Sequence, residues 1–168
     1  SGYPTYVLLG RLFALLPWGD LAYRLSIMSA TWASLTVGMV YLIALQSLSS
    51  LHTPGAGSPR SIIAAGGALA FAFSPLFWSQ ALIVEVYTLH AFFVAAVTYL
   101  LLRWMERPKL WLLSAAALAT GLGLGNHLTL MLLGPAILVM LWARRSRLPS
   151  SVGQISAVML SFILGLGV

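Results

Sequence analysis

The spacing of charge along this chain limits its folds more than any other feature. Long apolar runs are separated by short breaks, and three of those breaks hold most of the basic residues. Arg60 is in the first, Arg103, Arg107 and Lys109 in the second, and Arg144, Arg145 and Arg147 in the third. The breaks between them are nearly free of Lys and Arg. Only 7% of the residues are charged and 60% are hydrophobic, whereas a soluble domain carries about 25% charged residues. This alternation is the positive-inside pattern of a helical membrane protein. The expected fold class is therefore all-α: a polytopic bundle of about six spans preceded by an interfacial helix.

The net charge of +6 does not point to nucleic acid. The cations flank apolar runs rather than forming a patch, and anionic headgroups are their natural partners. With no cysteine, disulfides and thiolate metal sites are excluded. The chain opens Ser1-Gly2-Tyr3-Pro4 and closes Gly165-Leu166-Gly167-Val168 within an apolar run. The expectation is one transmembrane fragment over 1–168, truncated at both ends, with 1–20 an outer-face segment and 21–168 the transmembrane helices.

Residues 5–16 are too few to span and carry Arg11, which fits an interfacial amphipathic helix. Pro17-Trp18-Gly19-Asp20 ends it, and Asp20 is placed to cap the next helix. A first span follows over 21–46, with a polar loop over 47–60 containing His52. A second span runs from about Ser61 to Ser74-Pro75, where proline should break or kink it. One helix is expected from about Leu76 to Met105. On it Glu85 stands roughly 27 Å along the axis from Arg103 at ~1.5 Å per residue, close to the ~30 Å hydrocarbon thickness. Further spans cover about 110–125, 128–143 and 152–168, with Asn126-His127 as a turn. This topology puts residues 1–20, the turn from Ser74 to Glu85, and Asn126-His127 outside. Seven of the nine basic residues are then inside; Arg11 and Arg24 are not.

Glu85 is the sharpest candidate for chemistry. A lone carboxylate in a span costs about 2.5 kcal/mol or more, so it must meet a cation, a metal, water or a proton. It is read as an acid, base or ligand facing a polar cavity, or equally as a structural partner of Arg24 or His127. Arg24 and Arg11 could hold a phosphate headgroup or simply snorkel. Asp20 is explained by capping. His127 could bind metal or a headgroup or shuttle protons, or equally be a plain helix-end residue. His90 lies five residues from Glu85, roughly 140° around a helix, and is read as a hydrogen-bonding residue rather than a co-ligand. Trp18, Trp78, Tyr3 and Tyr6 fit an aromatic belt and could also stack on sugar. The GLGLG run is better explained by close helix packing than by phosphate binding, because no strand precedes it. Triad, zinc, Walker and dinucleotide motifs are absent.

Three strings carry a family resemblance: SGYPTYVLLGRLFALLPWGDLAYRLSIMSA, FSPLFWSQALIVEVYTLHAFF and GLGLGNHLTLMLLGPA. Together, in this order, they resemble the protein O-mannosyltransferase-like multispanning membrane proteins of the GT-C glycosyltransferase class, over residues 1 to about 145. The matching positions are Gly2, Tyr3, Pro4, Arg11, Arg24, Glu85, Tyr87, Asn126 and His127; Ser26 stands where the family has Asn. The resemblance implies transfer of a sugar, mannose or a similar hexose, from a polyprenyl-phosphate donor to a hydroxyl of a protein or glycan acceptor. It implies an active face that is periplasmic on a bacterial inner membrane, or luminal. Glu85 is the expected catalytic residue. Arg24, Arg11, His127, Tyr3, Tyr87 and Asn126 are the expected substrate or donor-phosphate contacts. The family's acidic base belongs upstream of residue 1. Nothing in the residues requires a cofactor, and a divalent metal is left open. The competing expectations are a transporter or lipid flippase, which should hold ionisable groups near the midplane, and a purely structural subunit.

Overall fold

The computed structural model describes residues 2–50 and 57–168, and these form helices joined by turns and short irregular links, with no strand among the described residues. His52 lies outside the described residues. Helix α1, Pro4–Ala14, begins with proline in its first turn, where a missing N–H costs nothing. A turn with Gly19 at φ 59° follows. A side chain there would strike the Tyr23 ring. The Asp20 carboxylate accepts the Tyr23 N–H at 2.8 Å, the cap that the sequence predicts. It opens α2, Leu21–Ser50, whose 30 residues rise about 45 Å and so outreach the hydrocarbon layer.

The polar break expected over 47–60 is narrower in the structure. Helix α2 continues through Ser50, and α3, Gly57–Ala72, already includes Pro59 and Arg60. Pro59 falls in the first turn of α3, where proline is tolerated, and Ser49 Oγ donates to the Gln46 carbonyl at 2.7 Å. The predicted break at Ser74-Pro75 is present. Pro75 starts α4, Pro75–Leu82, which is bent by 63° from the preceding helix. Ser74 Oγ donates to the Phe71 carbonyl at 2.7 Å across the bend.

The single helix expected over 76–105 is not formed. It divides into α4 and α5, Tyr87–Glu106, with 83–86 extended and bent between them. The run Ile83-Val84-Glu85-Val86 explains the break. Three β-branched residues weaken the helix, and a carboxylate is relieved of a place inside an apolar span. Glu85 therefore stands in an elbow, exposed, rather than on a helical face.

Helix α6, Leu110–Asn126, returns alongside α5. A 3-10 turn over Leu128–Leu133 leads into α7, Gly134–Ala143, and the chain closes with α8, Val152–Leu166. Helices α6 and α8 touch backbone to backbone. A Cβ at Gly121 would meet the Phe162 carbonyl and the Leu166 nitrogen, and one at Gly165 would meet the Leu118 carbonyl. The GLGLG run is thus a packing surface, as in other close membrane helix pairs.

Two buried clusters hold the bundle. Val97, Leu101 and Trp104 meet Leu112, Leu113 and Ala116 between α5 and α6. Nearer the α1 end, Leu89, Phe93 and Leu130 pack under Tyr6, Leu9 and Trp32. Large apolar side chains on α3, α7 and α8, among them Ile62, Trp142 and Ile163, point outward, as a lipid-facing surface requires. Leu21–Ser49 and Tyr87–Glu106 are long and apolar enough to span, and the bent α3–α4 pair makes a third candidate. Shorter apolar helices cover Leu110–Asn126, Leu128–Ala143 and Val152–Leu166. The chain is a helical membrane bundle.

Candidate functional site

Helix α1 decides where the site lies, because it crosses one end of the bundle. Near its start, Thr5 Oγ1 donates to the Leu122 carbonyl of α6 at 2.9 Å. Further along, Gly10 faces Leu25 of α2. Tyr3, Glu85, Tyr87 and His127 come from four different segments that all end here.

His127 is the hub. It ends α6 in an extended conformation, and its Nδ1 accepts the Thr129 N–H at 3.3 Å. Thr129 Oγ1 is 2.6 Å from the same nitrogen and 3.4 Å from His90 Nε2. Because Nδ1 accepts from a backbone N–H, the ring proton of neutral His127 must sit on Nε2. Thr129 then donates its hydroxyl hydrogen to His127 and accepts from His90. The His127 ring stacks on Tyr3, with centroids 5.7 Å apart and planes 17° from parallel. Tyr87 approaches at 6.1 Å and His90 at 5.2 Å.

Asn126 is fully buried, and its amide donates to the Val86 carbonyl at 3.2 Å. That bond ties the end of α6 to the elbow carrying Glu85. Tyr6, on α1, has a buried hydroxyl without a hydrogen bond of good geometry, beside Ser29. Burial first, and then the nearby Glu85 carboxylate, push its phenol above the ordinary value of 10.0. Glu85 thus lies within electrostatic reach of Tyr6 on α1. Among the described residues it forms no ion pair with Arg24 or His127, so the pairing weighed from sequence is absent.

Arg24 does not join this cluster. Its guanidinium donates to the carbonyls of Ala14, Trp18 and Gly19 at 2.7–2.9 Å, clamping the end of α1 and the turn after it. Tyr3 is eleven residues from Ala14, about 16 Å along a helix. The expectation that Arg24, Glu85 and His127 share one cavity is therefore corrected to Glu85 and His127 at one end of α1 and Arg24 at the other. Exposed Arg11 lies one turn before Ala14, at the Arg24 end. Ser26 Oγ turns back to the Ala22 carbonyl at 2.9 Å. Trp78 stacks on Phe73 rather than on the cluster. No three His, Cys, Asp or Glu side chains converge among the described residues.

His90 is the hydrogen-bonding residue that the sequence reading expects, and Thr129, its partner, is the member that reading missed. A His followed two residues later by Thr at a helix end was the signal available, since such side chains bond locally to backbone.

Tyr87 also borders an apolar cleft of about 440 Å³, walled by Phe71, Leu76, Phe77 and Ala91 with Ser74 and Gln80. A polar cluster and an apolar cleft therefore share one side chain.

Comparison with known proteins matches residues 1–150 to the family described as protein O-mannosyl-transferase TMEM260 N-terminal domain. The mouse protein named protein O-mannosyl-transferase TMEM260 is 29% identical over 136 residues, covering 78% of this chain and 18% of the relative. The chain thus spans under one fifth of that relative's length. No solved structure matches it.

Proposed function

The chain belongs to the protein O-mannosyl-transferase TMEM260 N-terminal domain family, and from that membership we propose that it is the membrane-embedded part of a GT-C type glycosyltransferase. The reaction is transfer of mannose or a similar hexose from a polyprenyl-phosphate donor to a hydroxyl of a protein or glycan acceptor. It takes place on the face opposite the basic breaks, periplasmic in a bacterial inner membrane. One observation carries this reading. Glu85, His127, Tyr3 and Tyr87 gather at one end of the bundle, beside a cleft whose walls are apolar. Such a junction suits an amphiphilic donor, with its isoprenoid in the cleft and its reacting end among polar groups.

Transfer needs a base for the acceptor hydroxyl and charge stabilisation for the leaving phosphate. Glu85 is exposed and unpaired, which suits an acid, a base or a group that orients the acceptor. A sugar–phosphate linkage is only a few ångström long, whereas the backbone of Arg11, and of Ala14 to which Arg24 of α2 is bound, stands roughly 12–16 Å along α1 from Tyr3. The Arg24 guanidinium is moreover engaged by three carbonyls, away from the His127 cluster. We place the bond at the His127 end. The arginine end takes anionic headgroups of the bilayer.

The test is sugar transfer by the purified full-length protein from polyprenyl-phosphate mannose. Glu85→Gln keeps shape and removes charge, and should lower the rate by about 10²-fold, the lower range for a positioned acid or base. A monodisperse Glu85→Gln variant with wild-type transfer would remove Glu85 from the chemistry. A wild-type protein that transfers no sugar but moves a solute across liposomes would replace the enzyme with a transporter.

A further inference from the structure

We propose that the frame of Tyr3, His127 and Tyr87, braced by Thr129 and His90, is a subsite for a neutral pyranose ring rather than for phosphate. The inference rests on the glycosyltransferase reading and names what that end of the site holds.

Charge gives the first argument. No Lys or Arg belongs to the frame, and the nearest cation on α1, Arg11, is eight residues from Tyr3, roughly 12 Å along the helix. At that distance an exposed charge is largely screened. Besides the two histidines of the frame, the ionisable group close by is Glu85, two residues before Tyr87 and near enough to act on the Tyr6 phenol. A carboxylate repels phosphate and accepts hydrogen bonds from sugar hydroxyls.

Shape gives the second. Tyr3 is 41% exposed and Tyr87 is 49% exposed, so both aromatic side chains beside the His127 ring are partly open. A pyranose has an apolar face of C–H groups and a rim of hydroxyls. Aromatic rings with polar tips offer matching surfaces, and sites of this kind combine apolar walls with a few fixed polar groups.

The hydrogen-bond chain gives the third. Thr129 consumes His127 Nδ1, which leaves Nε2–H as the edge free to donate. His90 in turn backs the Thr129 hydroxyl. The ring thus presents one fixed donor, suited to an uncharged oxygen. His90 and Thr129 are positioning residues; neither needs to touch the sugar.

The experiment is saturation-transfer NMR on the full-length protein in nanodiscs, with methyl α-mannopyranoside and methyl phosphate as separate probes. Wild type should saturate the ring C–H protons of the glycoside, and excess methyl phosphate should not displace it. Tyr87→Leu should cut the signal at least fivefold. Thr129→Val should weaken it and Thr129→Ser should restore it, because serine keeps the hydroxyl. Displacement by methyl phosphate, no glycoside signal in wild type, or full binding by both Tyr87→Leu and Thr129→Val would each overturn the proposal. Failure of the parent reading looks different. Glycoside would still bind, with the same dependence on Tyr87 and Thr129, while no donor gave transfer.

Discussion

The buried amide of Asn126 donates to the carbonyl of Val86, 40 residues earlier, and so fixes the end of α6 against the elbow that bears Glu85. This bond sets the distance between the two halves of the site. Asn126→Ala removes this tie while the Val86 carbonyl keeps the His90 N–H at 2.9 Å, so the loss should be that of one ordinary hydrogen bond, about 0.5–1.5 kcal/mol. The expected readout is a lower unfolding temperature in detergent, with lost hydrogen-exchange protection concentrated at 83–90 and 123–130.

Arg24 should behave as a clamp. Lysine keeps the charge but cannot fork to three carbonyls, so Arg24→Lys should loosen the turn over 15–20 almost as much as Arg24→Ala. Faster amide exchange in that turn for both variants checks it. Full protection in Arg24→Lys would show that charge alone suffices.

Gly121 and Gly66 make a paired test of packing. A methyl at Gly121 meets backbone of α8, while one at Gly66 meets nothing within 4 Å. Gly121→Ala should destabilise by about 1–3 kcal/mol through overpacking. Gly66→Ala should be neutral or stabilise by up to about 1 kcal/mol, because it removes chain entropy. Thermal unfolding of both variants distinguishes the two sites.

The Tyr6 phenol predicts an alkaline dependence. Its folded-state pKa is raised by burial and by Glu85, so above pH ~10 the unfolded chain gives up this proton first. The folded state then binds more protons, and stability falls as pH rises. Tyr6→Phe should flatten that loss. In Glu85→Gln the same tyrosine should ionise at lower pH than in wild type, read as the absorbance difference from Tyr6→Phe at 295 nm.

Orientation is tested by cysteine labelling, which the cysteine-free sequence makes direct. Single cysteines at Lys109 and Ser146 should react only from the side of the basic breaks. Those at Trp18 and Leu128, 58% and 72% exposed, should react only from the other side. The reverse pattern would move the candidate site to the cytoplasmic face.

Much of the bundle was legible in the residues themselves. The Asp20 cap and the Pro75 break are local signals, and each appears in the structure where the chain places it, whereas Arg60 and Arg103 of the basic breaks lie within helices. The order of apolar runs gave the helices within a few residues. The helix over 76–105 failed for a local reason that was also present: Ile83, Val84 and Val86 around a carboxylate weaken a helix that hydropathy alone would continue.

The membership of the site belonged to the tertiary structure. Sequence could name Arg24, Glu85 and His127 as unusual in an apolar chain, because charge in lipid is costly wherever it falls. It could not tell that α1 lies across the end of the bundle, with Tyr3 against His127 and Arg24 bound to the opposite end. Nor could it bring His90 to Thr129, 39 residues away. Helix propensity and hydropathy act over a few neighbouring residues. Which side chains meet depends on how whole helices pack, and that follows from contacts such as Gly121 on α8 and Asn126 on Val86 that no single segment encodes.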